Sequence, residues 1–104
     1  MHDDEDEVKR LFVVMLHRGA AHDSSKPLEG QIEWEAHRKF INGLEKEGLI
    51  VLGGPLEGTS EVLLIWRAVD QEEIVRRWSE DPWAKLDLLR LSRVVPWELR
   101  IGSV

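Results

Sequence analysis

Four histidines and a scatter of carboxylates carry the evident acid–base chemistry of this sequence. Cysteine and tyrosine are absent. That removes thiol catalysis, disulfides, iron–sulfur clusters and cysteine-ligated zinc. No serine stands in a nucleophile elbow. Gly53, Gly54 and Gly58 are neither followed by Lys-Ser/Thr nor spaced as Gly-x-Gly-x-x-Gly, so no phosphate loop is expected. No two histidines sit at metal-ligand helix spacing, and His17 and His22 straddle a loop. No metal and no cofactor are expected. What remains is an imidazole working with a carboxylate, because imidazole is the side chain that titrates near neutral pH.

His37 is the leading candidate. It shares one helical face with Phe40, Ile41 and Leu44, at offsets 0, 3, 4 and 7. Trp34 lies one turn back on that face. Two readings stand: a partly buried structural histidine with one hydrogen bond, or a general base in a dry pocket whose tautomer a carboxylate fixes. Asp81 precedes Pro82 and reads as the cap of a helical turn. A carboxylate has two oxygens, so one can cap while the other orients an imidazole. His17 ends the first strand, either beside solvent or facing a ligand. Gly54 and Pro55 read as turn residues or as ligand contacts. Trp83 reads as core or as the wall of a small-molecule pocket.

These residues need a scaffold, and the pattern supplies one. A strand is expected over Val8–His17, with Leu11, Val13, Met15 and His17 on one face and Phe12, Val14 and Leu16 on the other. A loop over Arg18–Leu28 leads to a helix of about Glu29–Glu47, closed by Gly48. Leu49–Leu52 reads as a second strand, broken by Gly53-Gly54-Pro55. A third runs Glu61–Val69. Asp70 and Glu73 form an N-terminal capping box for a helix over Gln71–Ser79, with Ile74, Val75 and Trp78 inward. Leu86, Leu88 and Leu89 return the chain from the Asp81-Pro82 turn to the core. The last strand spans about Leu91–Ile101, and Pro96 marks it as an edge or a bulge. The order strand–helix–strand–strand–helix–strand predicts an α+β, ferredoxin-like sandwich: a four-stranded antiparallel sheet with helices on one face. Both faces of the first strand are apolar. At about 25 cal/mol per Å², a wet apolar sheet face forfeits several kcal/mol, so a second copy is expected to cover it as a face-to-face homodimer.

The chain has 104 residues, enough for one domain. Its net charge is −6, yet Asp3, Asp4, Glu5, Asp6 and Glu7 account for most of it. The remainder holds 14 basic side chains against 15 acidic ones. Residues 1–7 therefore read as a solvated, disordered acidic tail and residues 8–104 as the domain. Nucleic acid is excluded as a partner because there is no basic face to displace counterions from phosphates. No run approaches the roughly 20 apolar residues of a membrane span. The acidic start does not resemble a signal peptide, and a cytoplasmic protein is expected.

Three features in order resemble the YCII-related (YciI-like) family: Trp-Glu-Ala-His37 in mid-helix, Gly53-Gly54-Pro55-Leu56, and Asp81-Pro82-Trp83 followed by Val95-Pro96-Trp97. The resemblance covers roughly Val8–Ile101. It implies a dimeric α+β barrel and a small pocket with a histidine–aspartate pair. The family's helix histidine falls on His37, the aspartate of its Asp-Pro-aromatic motif on Asp81, and its Gly-Pro on Gly54-Pro55. Relatives often carry Arg-Pro where this chain has Trp34-Glu35, so an arginine for an anionic substrate group is missing here. The family and its wider superfamily imply dehydrochlorination of ring compounds, lactone isomerisation or cofactor-free oxygenation, and the fold does not choose among them. The expectation is a small cofactor-independent enzyme of lyase or isomerase type. His37 and Asp81 would be its acid–base pair, with His17, Gly54, Pro55 and Trp83 contacting a small-molecule substrate. The alternative is a non-catalytic ligand-binding or assembly module.

Overall fold

The computed structural model describes residues 8–104. The acidic run before them, expected as a tail, lies outside the described residues. The elements in chain order are β1 (Arg10–Arg18), α1 (Trp34–Lys46), β2 (Ile50–Pro55), β3 (Glu61–Ala68), α2 (Gln71–Trp78), α3 (Pro82–Lys85) and β4 (Leu89–Trp97), with a 3₁₀ turn at Leu28–Gly30. All strand pairs are antiparallel, in the order β2-β3-β1-β4. This is an α+β sandwich with an open four-stranded sheet, compatible with the ferredoxin-like fold expected from the sequence. Among the described residues, no helix is long and apolar enough to cross a membrane.

Strand alternation sorts β1 between two layers. Phe12, Val14 and Leu16 are buried in the core with Leu44, Ile74, Trp78 and Trp83 from the helical side. Leu11, Val13, Met15 and His17 point the other way and are only partly covered. Trp66 pairs with Phe12 and is fully buried in the core, where its indole N–H has no partner among the described residues. That orphan donor is a local cost the packing around the ring must offset.

The structure corrects several sequence boundaries. The first helix begins at Trp34, not near Glu29, because Glu33 adopts a left-handed conformation (φ 61°) that breaks the run. The second strand does not stop at Leu52 but continues through Gly53, Gly54 and Pro55. It is an edge strand, so Pro55 is tolerated there. Gly53 lies so close to β3 that a side chain would collide with Leu64. The last strand runs Leu89–Trp97 rather than to Ile101, and Pro96 sits within it, again on an edge. Val75 (42% exposed) and Leu86 (41% exposed) face outward, not into the core. In α2, Ile74 and Trp78 alone complete the buried stripe. Half of the expected capping box forms: Asp70 accepts from the Glu73 N–H at 2.8 Å, whereas Glu73 reaches one residue past the cap and accepts from the Val69 N–H at 2.9 Å.

The long loop after β1 is tied down at both ends. The Gly19 N–H donates to the Leu88 carbonyl and the Ala21 N–H to that of Asp87. Gly19 is required there, since any side chain would strike the Asp87 backbone. Asp87 accepts two hydrogen bonds from the Arg90 guanidinium, at 2.6 and 2.7 Å, and one from the Ala20 N–H at 3.3 Å. At the far end Gln31, buried, accepts from the Asp23 N–H at 2.9 Å and donates to the carbonyls of Asp23 and Lys26.

The Arg90 hydrogen bonds hold the Asp87 carboxyl down to about 2, from an ordinary value of 3.8. The folded state therefore binds this proton less readily than the unfolded chain. Its stabilisation is complete above pH 3.8 and is lost as the pH falls toward 2. Asp87→Asn, which keeps the left-handed backbone at φ 60° accessible, is expected to flatten the fall in melting temperature across that window. Thermal melts of both proteins between pH 5 and pH 2 check this.

Candidate active site

α1 carries His37 in its first turns, and α3 begins immediately after Asp81. The two residues are 44 apart in sequence and meet through side chains: His37 Nδ1 stands 2.8 Å from Asp81 Oδ2 and 3.0 Å from Oδ1. The Asp81 side chain is fully buried, and that of His37 is 11% exposed. A carboxylate only accepts, so the shared hydrogen lies on Nδ1, and Nε2, which holds the lone pair when the imidazole is neutral, is the ring nitrogen left without a partner among the described residues. Asp81 Oδ1 also accepts from the Trp83 N–H at 2.8 Å, capping α3. The sequence expectation that one aspartate could both cap and orient is met in this geometry.

Trp83 fixes the ring from the side. Its indole stacks on the imidazole with centroids 3.8 Å apart and planes inclined by 6°. The indole Nε1 donates to the Ile32 carbonyl at 2.7 Å, which ties the ring to the segment leading into α1. Trp34 leans on both, 6.0 Å from His37 and 5.8 Å from Trp83. The imidazole is thus held in its plane by stacking and within its plane by the carboxylate.

Beside the ring is a cavity of about 180 Å³. Its floor is the sheet at Leu16, Val62 and Leu64, and one side is the β2 edge at Gly53, Gly54 and Pro55. Trp34, His37 and Ile41 from α1 roof it, and Trp83 closes the inner wall. His37 Nε2 makes no hydrogen bond among the described residues, and it is not among the atoms sealed from solvent without a partner. A base poised in this way can take a proton from a ligand while Asp81 stabilises the resulting imidazolium.

Of the residues singled out in the sequence, His37, Asp81, Gly54, Pro55 and Trp83 come together here. His17 does not. It follows Leu16 on β1, and one residue of strand turns the side chain to the opposite sheet face. There its Nδ1 stands 3.2 Å from the Arg18 carbonyl, remote from the cavity. A substrate contact from His17 within this cavity is therefore corrected. Sequence reasoning missed Gln31, whose buried amide organises the loop that ends in the cavity residue Leu28. A polar residue just before a helix was its only signal. It also treated Gly53 as a strand breaker, where the structure makes it a bare wall of the cavity. Among the described residues, no group of three or more histidine, cysteine or carboxylate side chains could hold a metal ion. No family model, curated protein or solved structure matches the chain.

Removing the carboxylate leaves the His37 Nδ1–H and the Trp83 N–H without acceptors and uncaps α3. Asp81→Ala is expected to destabilise the fold by about 2–4 kcal/mol, from a lost cap and unpaired buried donors. Asp81→Asn, which retains an acceptor oxygen, should cost less than half as much. Urea unfolding of the two variants measures the difference.

Proposed function

We propose that the chain is a small cofactor-independent enzyme in which His37 is a general base and Asp81 its positioning partner, acting on a small molecule in the adjoining cavity. The observation that carries this reading is the 2.8 Å Nδ1–Oδ2 hydrogen bond, which leaves Nε2 without a partner among the described residues on a ring that lines the cavity. A structural histidine buried for packing usually spends both ring nitrogens or loses access to solvent. His37 does neither. Removal of a proton next to a carbonyl, followed by its return or by loss of a leaving group, is the chemistry such a pair supports. That corresponds to isomerase or lyase reactions. A positioned base contributes about 10²–10⁴-fold. The ordered motifs around His37, Gly54-Pro55 and Asp81, together with the strand order, support placing the chain in the YCII-related family. The rival reading, a ligand-binding module without catalysis, makes the same cavity but requires no proton transfer at Nε2.

The discriminating measurement is hydrogen exchange at the α-carbon of a small cyclic ketone, cyclohexanone, in D₂O. The protein is expected to accelerate exchange by about 10²-fold or more over buffer. His37→Asn is expected to abolish the acceleration while the circular dichroism spectrum and melting temperature stay close to those of the parent. Exchange at the buffer rate would leave the binding module as the better reading.

We also propose that the uncovered sheet face joins a second copy of the chain, completing a two-layered barrel of sheets. Val13, Met15, Val95 and Trp97 surround a broad shallow depression there, with Leu52 50% exposed and Trp97 38% exposed. On β3, Glu61 and Arg67 stand on this face at opposite ends. A two-fold axis across the strands would set Glu61 against the partner's Arg67, so a self-complementary interface gains matched charges at its rim. Gel filtration at micromolar concentration is expected to give a dimer, and Val13→Asp a monomer. A monomeric parent protein would exclude this arrangement.

A further inference from the structure

We propose that the His37 cavity selects an uncharged ligand of about one ring in size, carrying a single hydrogen-donating group for Nε2, and discriminates against carboxylates and ammonium ions of the same shape. This rests on the reading of the cavity as a ligand site given above, and it concerns selectivity rather than catalysis.

The lining carries the argument. It contains no Arg, Lys, Asp or Glu and no hydroxyl side chain. Its polar side-chain atoms are those of the imidazole and two indoles, and the Trp83 indole N–H is already committed to Ile32. A buried ionic group is tolerated only where opposite charge and hydrogen bonds replace its water. A carboxylate entering here would find no fixed cation, and an imidazolium at His37 would already be paired with the Asp81 carboxylate. It would also direct its lone pairs at the lone pair of Nε2, with the Asp81 carboxylate immediately behind the ring.

An ammonium fares little better. It brings three donors, and Nε2 can accept one. The face of Trp83 that could hold a cation is covered by the imidazole, stacked at 3.8 Å. A neutral group with one O–H, or a C–H acidified by a neighbouring carbonyl, matches what Nε2 offers. Size agrees: the cavity holds about 180 Å³, and an apolar protein cavity of about 150 Å³ accepts a benzene ring.

Trp34 is the residue that sets this preference. It occupies a first-turn position of α1 from which a side chain lines the cavity, and it fills that position with an indole. The neighbouring Glu35 is directed to Arg38 at 2.8 Å on the surface and contributes no charge inside.

Cyclohexanol, cyclohexanecarboxylate and cyclohexylammonium share one ring and differ in charge. Their binding is followed through the NMR shift of the Trp83 indole N–H, in the parent and in Trp34→Arg. Cyclohexanol is expected to bind at least tenfold more tightly than either ion. Trp34→Arg is expected to raise carboxylate affinity by tenfold or more while lowering that for cyclohexylammonium. A parent protein that binds either ion as tightly as cyclohexanol, or that binds none of the three, overturns the proposal. Selective cyclohexanol binding without ketone exchange sustains this inference while removing the catalytic reading. Exchange combined with tighter carboxylate binding does the reverse.

Discussion

A fully buried carboxylate has to be satisfied, and in this protein three N–H···O contacts to two residues satisfy it. Asp81 receives the Trp83 backbone N–H and the His37 ring N–H at the same point in the core. A buried charge left alone would cost several kcal/mol. Its neutral and backbone donors therefore define where α3 starts and where α1 must lie relative to it. The tautomer of His37 follows from the same constraint, because the ring nitrogen facing Asp81 is Nδ1 and a carboxylate can only accept. The lone pair at Nε2 is then a consequence of how the core is closed.

The rest of the chain maintains that geometry through local anchors. Glu33 holds a left-handed backbone, a strained state for a residue with a side chain. It is flanked by two tethers: the buried amide of Gln31 within its own loop, and the Ile32 carbonyl under the Trp83 indole. Between them these contacts choose the first residue of α1 and hence the direction in which His37 projects. On the other side, Asp87 and Gly19 clamp the start of the same loop to the chain entering β4. Glu47 and Arg77 join the end of α1 to α2 through paired hydrogen bonds at 3.0 and 2.9 Å.

The sheet divides the molecule into two tasks. One face is filled by helices and contains the cavity, and the other is apolar and open. Because side chains alternate along β1, neighbouring residues serve different tasks: Leu16 forms the cavity floor while His17 belongs to the opposite surface. Gly53 shows the same economy on β2, where the absence of a side chain lets the edge strand approach Leu64 and leaves bare backbone at the cavity wall.

The sequence alone determined the kind and order of the elements, since these rest on local chemistry: apolar runs on β1 and β3, the capping pair Asp70–Glu73, and Asp81-Pro82 opening a turn. It also brought forward His37, through its place on an apolar helical face, and Asp81, as the cap before Pro82 and through the resemblance to the YCII-related family. Tertiary structure decided what local patterns do not encode. The helix boundary at Trp34 depends on tethers from residues 31, 32 and 83. The extension of β2 through Gly53-Gly54-Pro55 depends on its lying at a sheet edge beside Leu64. Exclusion of His17 from the site depends on which face of β1 the helices cover, and alternation by itself treats the two faces alike. Except for the Gln31 tether within its own loop, contacts between residues distant in sequence fix these features, and no short stretch contains both partners.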